Sequence, residues 1–194
     1  MASSHKKLSR CQWCEGSEIY IRYHDEEWGV KVKDDQTLFA FLCLEGAQAG
    51  LSWITVLKRR EAYYAAFHQF DIEKVACMTP EQVLQAMQEH GVIKHQGKCL
   101  SVVKNAQAVL ALKKEGISFS DFLWQFAPVG KLPKKWAYSD IPTMSAESKA
   151  MSKALKKQGF TFVGETICYA FMQAVGMVND HVDTCYRRTE LLQQ

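Results

Sequence analysis

The sequence predicts one all-α domain, and three observations carry that prediction. Apolar residues recur at helical spacing along most of the 194 residues, helix start and stop signals bracket those stretches, and no segment shows the strict alternation of a half-buried strand. Asp34 or Asp35 can cap a helix running through Leu38, Phe39, Phe41 and Leu42 and ending near Gly46. Ser52 can cap a second, with Ile54, Leu57 and Tyr64 among its apolar positions. Thr79-Pro80-Glu81-Gln82 offers a threonine cap, a proline at the first helical position and a glutamine for a capping box, and that helix stops near Gly91. From about Gly97 a long helix carries Leu100, Val103, Ala106 and Leu110 toward Gly116. Ser120 to Phe126 reads as a short helix halted before Pro128, and 128–144 as the main irregular stretch, a candidate flap. Ser145 can cap a helix ending at Gly159, and Val163 to Val175 makes a buried one ending at Gly176. With no repeat or linker in view, the domain spans 10–186, between a disordered tail at 1–9 and a polar tail at 187–194.

Composition bounds the function. A chain 47% hydrophobic and 23% charged is a soluble globular protein and excludes general disorder. The opening MASSHKKLSR lacks the apolar core of a secretory signal, and Glu45, Gln48 and Ser52 interrupt the most apolar window, Leu38 to Leu57, so no membrane span is expected. Seven cysteines without an export signal point to a reducing, cytoplasmic compartment, where thiols are metal ligands, core residues or reactive groups. Cys43, Cys77, Cys99 and Cys168 lie in apolar or helical surroundings and read as small buried hydrophobes. The net charge of +3 permits nucleic-acid binding without requiring it. Basic clusters at 58–60, 94–98, 131–135 and 153–157 are, taken singly, read more simply as solvated helix faces.

Two cysteines near the start and a histidine–cysteine pair near the end raise a metal question. His181 and Cys185, four apart, would share one face of a helix, as two ligands of a tetrahedral ion require. Cys11 and His24 complete a Cys2His2 set suited to structural zinc. Asn179 and Asp180 could hold the second nitrogen of His181. The rival pairing joins Cys11 to Cys14 in a C-x-x-C knuckle, and spacing leaves both pairings open, beside the plainer reading of satisfied core histidines. A thioredoxin-like role for C-x-x-C needs a βαβ context that this helical pattern lacks.

Two further stretches invite chemistry. Residues 91–98, Gly-Val-Ile-Lys-His-Gln-Gly-Lys, form a glycine-bounded turn whose following helix start, with Lys94 and Lys98, would attract a DNA phosphate. Glu45 follows an apolar run beside a glycine, where it can point into a pocket, and Tyr20, Tyr23, Trp28 and Trp53 supply flat surface for stacking a base. A cationic purine would suit such a site, since aromatic faces and a buried carboxylate both favour a cation. The alternative for both stretches is ordinary structure: a solvated αα-hairpin, and aromatics that belong to the core.

Tyr-His-Asp-Glu-Glu-Trp-Gly at 23–29, Leu44 to Trp53, Gly91 to Lys98, Lys153 to Val163 and Val178 to Cys185 resemble, in order, the characteristic blocks of the DNA-3-methyladenine glycosylase type I family. The resemblance runs from about Arg10 to Cys185 and implies a helix-hairpin-helix DNA glycosylase fold. It implies one structural Zn2+ joining the N- and C-terminal regions through Cys11, His24, His181 and Cys185, with Cys14 a bystander. It implies a base pocket at Glu45, Tyr23 and Trp53 with Tyr20 and Trp13 nearby, a duplex-wedging loop at Gly50 and Leu51, and phosphate contacts from Lys94, Gly97 and Lys98. The implied activity is hydrolytic release of 3-methyladenine from double-stranded alkylated DNA, with Glu45 recognising and stabilising the cationic base and free 3-methyladenine as product; a monomer is expected because nothing in the pattern suggests an obligate interface. The helix from Gly97 to Gly116 contains no aspartate and no lysine stands out as a Schiff-base nucleophile, so no lyase step is expected. The competing class is a non-catalytic, zinc-stapled DNA-binding module.

Overall fold

The computed structural model describes residues 8–129 and 136–192, so the Lys131–Lys135 cluster, and all but two residues of the expected N-terminal tail, lie outside it. Among the described residues there are eleven α-helices and no strand: α1 (Glu18–Glu26), α2 (Asp35–Gln48), α3 (Trp53–Leu57), α4 (Arg60–Ala66), α5 (Ile72–Ala76), α6 (Pro80–Glu89), α7 (Gln96–Lys114), α8 (Phe119–Trp124), α9 (Ala146–Lys157), α10 (Glu165–Ala174) and α11 (Tyr186–Leu191). The core is built on α2 and α7, which pack on each other; α10 covers α2 and α5 covers α7. Leu38, Phe39, Leu42 and Leu44 of α2 and Val102, Ala106, Val109 and Leu112 of α7 are all buried. Burying these apolar side chains is the main force holding the bundle.

Capping signals place the helices well. Asp34 accepts from the backbone N–H of Thr37 at 2.7 Å to start α2, Thr79 and Gln82 form the full capping box of α6, and Ser145 caps α9. The helix expected from Ser52 is two helices. It breaks at Lys58-Arg59, where the Arg59 guanidinium donates to the Thr55 carbonyl at 3.1 Å. Lys58-Arg59-Arg60-Glu61 interrupts the apolar positions for a single turn, and Tyr63, Ala66 and Phe67 then resume them in helical phase, so spacing alone reads as one helix. The C-terminal residues are not a polar tail from 187 onward. They continue as α11, because buried Arg188 donates to the carbonyl of His181 at 2.7 Å and anchors the helix to the domain.

One close backbone contact joins distant segments. The N–H groups of Gly29 and Val32 donate to the carbonyls of Ala174 and Val175 at 3.3 and 3.2 Å. Gly176 sits at φ +74°, and a Cβ there would lie 2.6 Å from the Gly29 oxygen and 2.7 Å from the Val30 carbonyl carbon. Backbone on both sides cannot yield cheaply, so Gly176→Ala is expected to cost about 3 kcal/mol or more through left-handed strain and overpacking. Thermal denaturation checks this, with a melting temperature lowered by more than roughly 6 °C.

Candidate active site and metal centre

The four predicted ligands converge from opposite ends of the chain. Cys11, His24, His181 and Cys185 are all buried, and their ligating atoms lie within 4.8 Å of one another. His181 Nδ1 is 3.2 Å from His24 Nε2, 3.5 Å from Cys185 Sγ and 3.7 Å from Cys11 Sγ, and Cys185 Sγ is 3.4 Å from His24 Nε2. Zinc bond lengths of about 2.0 Å to nitrogen and 2.3 Å to sulfur require tetrahedral edges of roughly 3.3 to 3.8 Å. The donor set fits a tetrahedral metal ion in kind, and these four spacings lie close to those edges.

The outer partners differ from the sequence expectation. His181 and Cys185 do not share a helical face: 179–184 is non-helical and Cys185 is the residue before α11. Their convergence comes from the path of this loop. Asn179 accepts from the backbone N–H of His181 at 3.3 Å, and Asp180 turns away; the second ring nitrogen of His181 faces the Trp28 carbonyl at 3.1 Å instead. For His24 that partner is Asp25, 2.8 Å from Nδ1, and Asp25 is itself gripped by Arg10 at 2.8 Å. Burial pushes the Asp25 carboxyl up, but hydrogen bonds from Arg10, His24 and Tyr186 outweigh it and hold it at about 2. Both imidazoles are thus oriented with one nitrogen toward the cluster. The Cys185 thiol is held far below its ordinary range by a hydrogen bond from Cys11 and by the two imidazoles, which outweigh its burial. Cys14 donates to the Cys11 carbonyl at 3.1 Å and stands outside the set.

Beside this cluster lies a cavity of about 530 Å³, within the usual range for a small-molecule site. Trp13, Tyr20, Tyr23, Glu45 and Trp53 all line it, as does Trp28. The rings form a continuous aromatic wall, with Trp13 4.9 Å from Tyr20 and 5.0 Å from Trp28, and Tyr23 5.4 Å from Trp53 between centroids. Glu45, in the last turns of α2, is only 3% exposed. Its Oε2 and the Trp53 indole N–H are buried without a hydrogen-bond partner. Burial alone pushes the Glu45 carboxyl up to about 8, the cost of desolvating a charge that nothing compensates.

The opposite wall was not read from the sequence. Thr166, Tyr169 and Gln173 of α10 line the cavity, and Tyr169 and Gln173 donate to the buried Asp180 carboxylate at 2.7 and 2.8 Å. Polar residues at 166, 169 and 173 share one face of an otherwise apolar helix, and that spacing was the available signal. Tyr138 also borders the cavity.

In the connection 90–95 between α6 and α7, Lys94 is exposed and Gly91 sits at φ +68°, and Gly97, in the first turn of α7, is exposed as well. Lys98 is corrected: it is buried, and its ammonium donates to the carbonyls of Ala47 at 2.9 Å and Ala49 at 2.5 Å, facing the protein interior. Gly50, at φ +76°, and Leu51, 40% exposed, form the exposed link from α2 to α3, between the pocket-lining Gln48 and Trp53.

An aromatic pocket around one unpaired, buried carboxylate suits a flat heteroaromatic ring that carries positive charge. Comparison with known proteins makes this particular. The model of the methyladenine glycosylase family matches residues 13–188. DNA-3-methyladenine glycosylase 1 of Escherichia coli (strain K12) is 52% identical over 179 residues, covering 92% of this chain and 96% of its own. The DNA-3-methyladenine glycosylase of Haemophilus influenzae is 52% identical over 185 residues, covering 93% and 98%. A crystal structure of 3-methyladenine DNA glycosylase I superposes with a TM-score of 0.88 at 50% identity, covering 92% of this chain and 98% of that one. That of the Staphylococcus aureus enzyme, described for its 3-methyladenine recognition, gives 0.87 at 34% identity, covering 93% and 97%. The chain belongs to the methyladenine glycosylase family.

Proposed function

We propose that this protein is a DNA glycosylase that flips 3-methyladenine out of alkylated double-stranded DNA and releases it hydrolytically, with no lyase step. The observation that carries the reading is the pair of unpartnered polar groups in the pocket, Glu45 Oε2 and the Trp53 N–H, set among aromatic rings. A buried group left without a partner costs free energy unless a ligand supplies one.

The mechanism follows from the lesion's charge. Methylation makes the base cationic and a good leaving group, so the bond electrons pass to the base, which leaves neutral, and water adds to the sugar carbon and gives up a proton to solvent. Little acid catalysis is needed. The protein has to unstack the base, hold it, and favour the oxocarbenium-like sugar. Tyr23 and Trp53 stack on the extruded ring, with Trp13 and Tyr20 extending the wall. Glu45 recognises the base and, ionised beside a cation, stabilises the charge through the transition state.

Gly50 and Leu51 are suited to fill the gap in the duplex. Lys94 and the free N–H groups at the start of α7, Gln96 and Gly97, offer a phosphate site in a helix-hairpin-helix arrangement. The Cys2His2 cluster would hold a structural Zn2+, whose chemistry is to tie the chain ends and not to react. Trp13 and Tyr23 neighbour Cys11 and His24 in sequence, so the ion would also brace the pocket wall.

Chromatography of bases released from methylated duplex DNA tests the activity. Free 3-methyladenine is the expected product. Absence of release by folded, DNA-binding protein would favour a binding module instead. Trp53→Ala is expected to weaken binding of free 3-methyladenine by 10- to 100-fold, since stacking on one aromatic face contributes about 1–3 kcal/mol. Titration calorimetry checks it, and unchanged affinity in a folded variant would remove Trp53 from the pocket.

A further inference from the structure

The Lys98 ammonium is unusually placed. It stands in the first turn of α7, where the proposed phosphate site lies, yet it is 7% exposed and turned inward. Its only hydrogen-bond partners among the described residues are the carbonyls of Ala47 and Ala49, at 2.9 and 2.5 Å, and no carboxylate pairs with it. Those carbonyls belong to the end of α2, where helix geometry leaves oxygens without donors and the dipole is negative. One residue on from Ala49 begins the exposed Gly50–Leu51 link.

Neighbouring contacts lock the same two segments together. His95 accepts from the Lys98 N–H at 3.2 Å, and its ring packs on Phe162 at 5.9 Å. Phe162, held at φ +56°, lies against Gly46, where an added Cβ would meet its Cβ and carbonyl oxygen at 3.2 Å. The start of α7, the 159–163 loop and the end of α2 therefore form one packed unit.

We propose that Lys98 is a positioning residue for base extrusion: it clamps the root of the Gly50–Leu51 link to the start of α7, so that phosphate grip and duplex wedging occur in fixed register. The inference rests on the reading of Gly50–Leu51 as the wedge. Glu45 lies inside the hydrogen-bonded turns of α2 and Trp53 is buried at the start of α3, so the clamp acts chiefly on the link between them.

The test is Lys98→Met, which keeps the side chain's length and apolar stem but leaves both carbonyls without a donor. Single-turnover release of 3-methyladenine is measured from duplex and from single-stranded methylated DNA, alongside affinity for the free base. Expected is a rate lowered 10-fold or more on duplex, with single-stranded release and free-base affinity within about twofold of wild type. Leu51→Ala, run in parallel, separates the two ideas. If Leu51→Ala shows no duplex-specific loss, the wedge reading fails. If Leu51→Ala shows it and Lys98→Met does not, or if Lys98→Met loses both substrates equally, the clamp is overturned.

Discussion

Glu45→Gln is expected to cut release of 3-methyladenine by about 10²- to 10³-fold, the usual loss on removing one preorganised electrostatic stabiliser, while raising the melting temperature above neutral pH. The two effects have one cause. The Glu45 carboxyl titrates near 8 in the fold because it is buried without a partner, against about 4.3 in an unfolded chain. A carboxyl raised on folding binds its proton more tightly in the native state. Its cost is therefore absent below the unfolded value, grows as pH rises through the interval, and levels off above about 8. At about 1.36 kcal/mol per pH unit the cost reaches roughly 3–4 kcal/mol at pH 7.

The amide variant escapes that cost, though it still buries an unpaired polar group and recovers only the charge-dependent part. Melting curves of both proteins from pH 5 to 9 should coincide at the acid end and diverge upward, with the variant higher by several degrees. Parallel curves would mean that Glu45 carries no uncompensated charge in the fold and would overturn this account. Wild-type protein should recover part of the difference when a cationic base analogue is bound, since the ligand supplies the missing counter-charge.

Were the Cys11, His24, His181 and Cys185 cluster to hold zinc as proposed, removing that ion is expected to produce the largest loss of stability. An ion held at a thousandfold above its dissociation constant stabilises the native state by about 4 kcal/mol, or roughly 8–16 °C in a domain of this size. Chelation, Cys11→Ser and His24→Ala should each produce such a drop together with loss of bound zinc, measured by metal analysis. Cys14→Ser should keep the metal, because its sulfur bonds to the Cys11 carbonyl and lies outside the tetrahedral set. Loss of zinc in Cys14→Ser with retention in His24→Ala would establish the C-x-x-C pairing instead. Because Trp13 and Tyr23 adjoin two of the ligands, metal-free protein should also bind free 3-methyladenine more weakly.

The chain by itself determined the helical class and most helix starts, because capping and the 3.6-residue period are local: Asp34, Thr79 and Ser145 act within one turn of their own backbone. It also marked Glu45 and the aromatic residues, because a lone carboxylate inside an apolar run is anomalous in any context. Only the tertiary structure decided where those groups point and what they touch. His181 and Cys185 meet Cys11 and His24 through a loop and not along a helix face, and Lys98 turns from solvent to the end of α2. The break between α3 and α4 and the wall contributed by α10 were equally hidden. A local pattern sets which side of an element is apolar, but direction, partner and burial arise from contacts between residues far apart in sequence, and these exist only once the chain has packed.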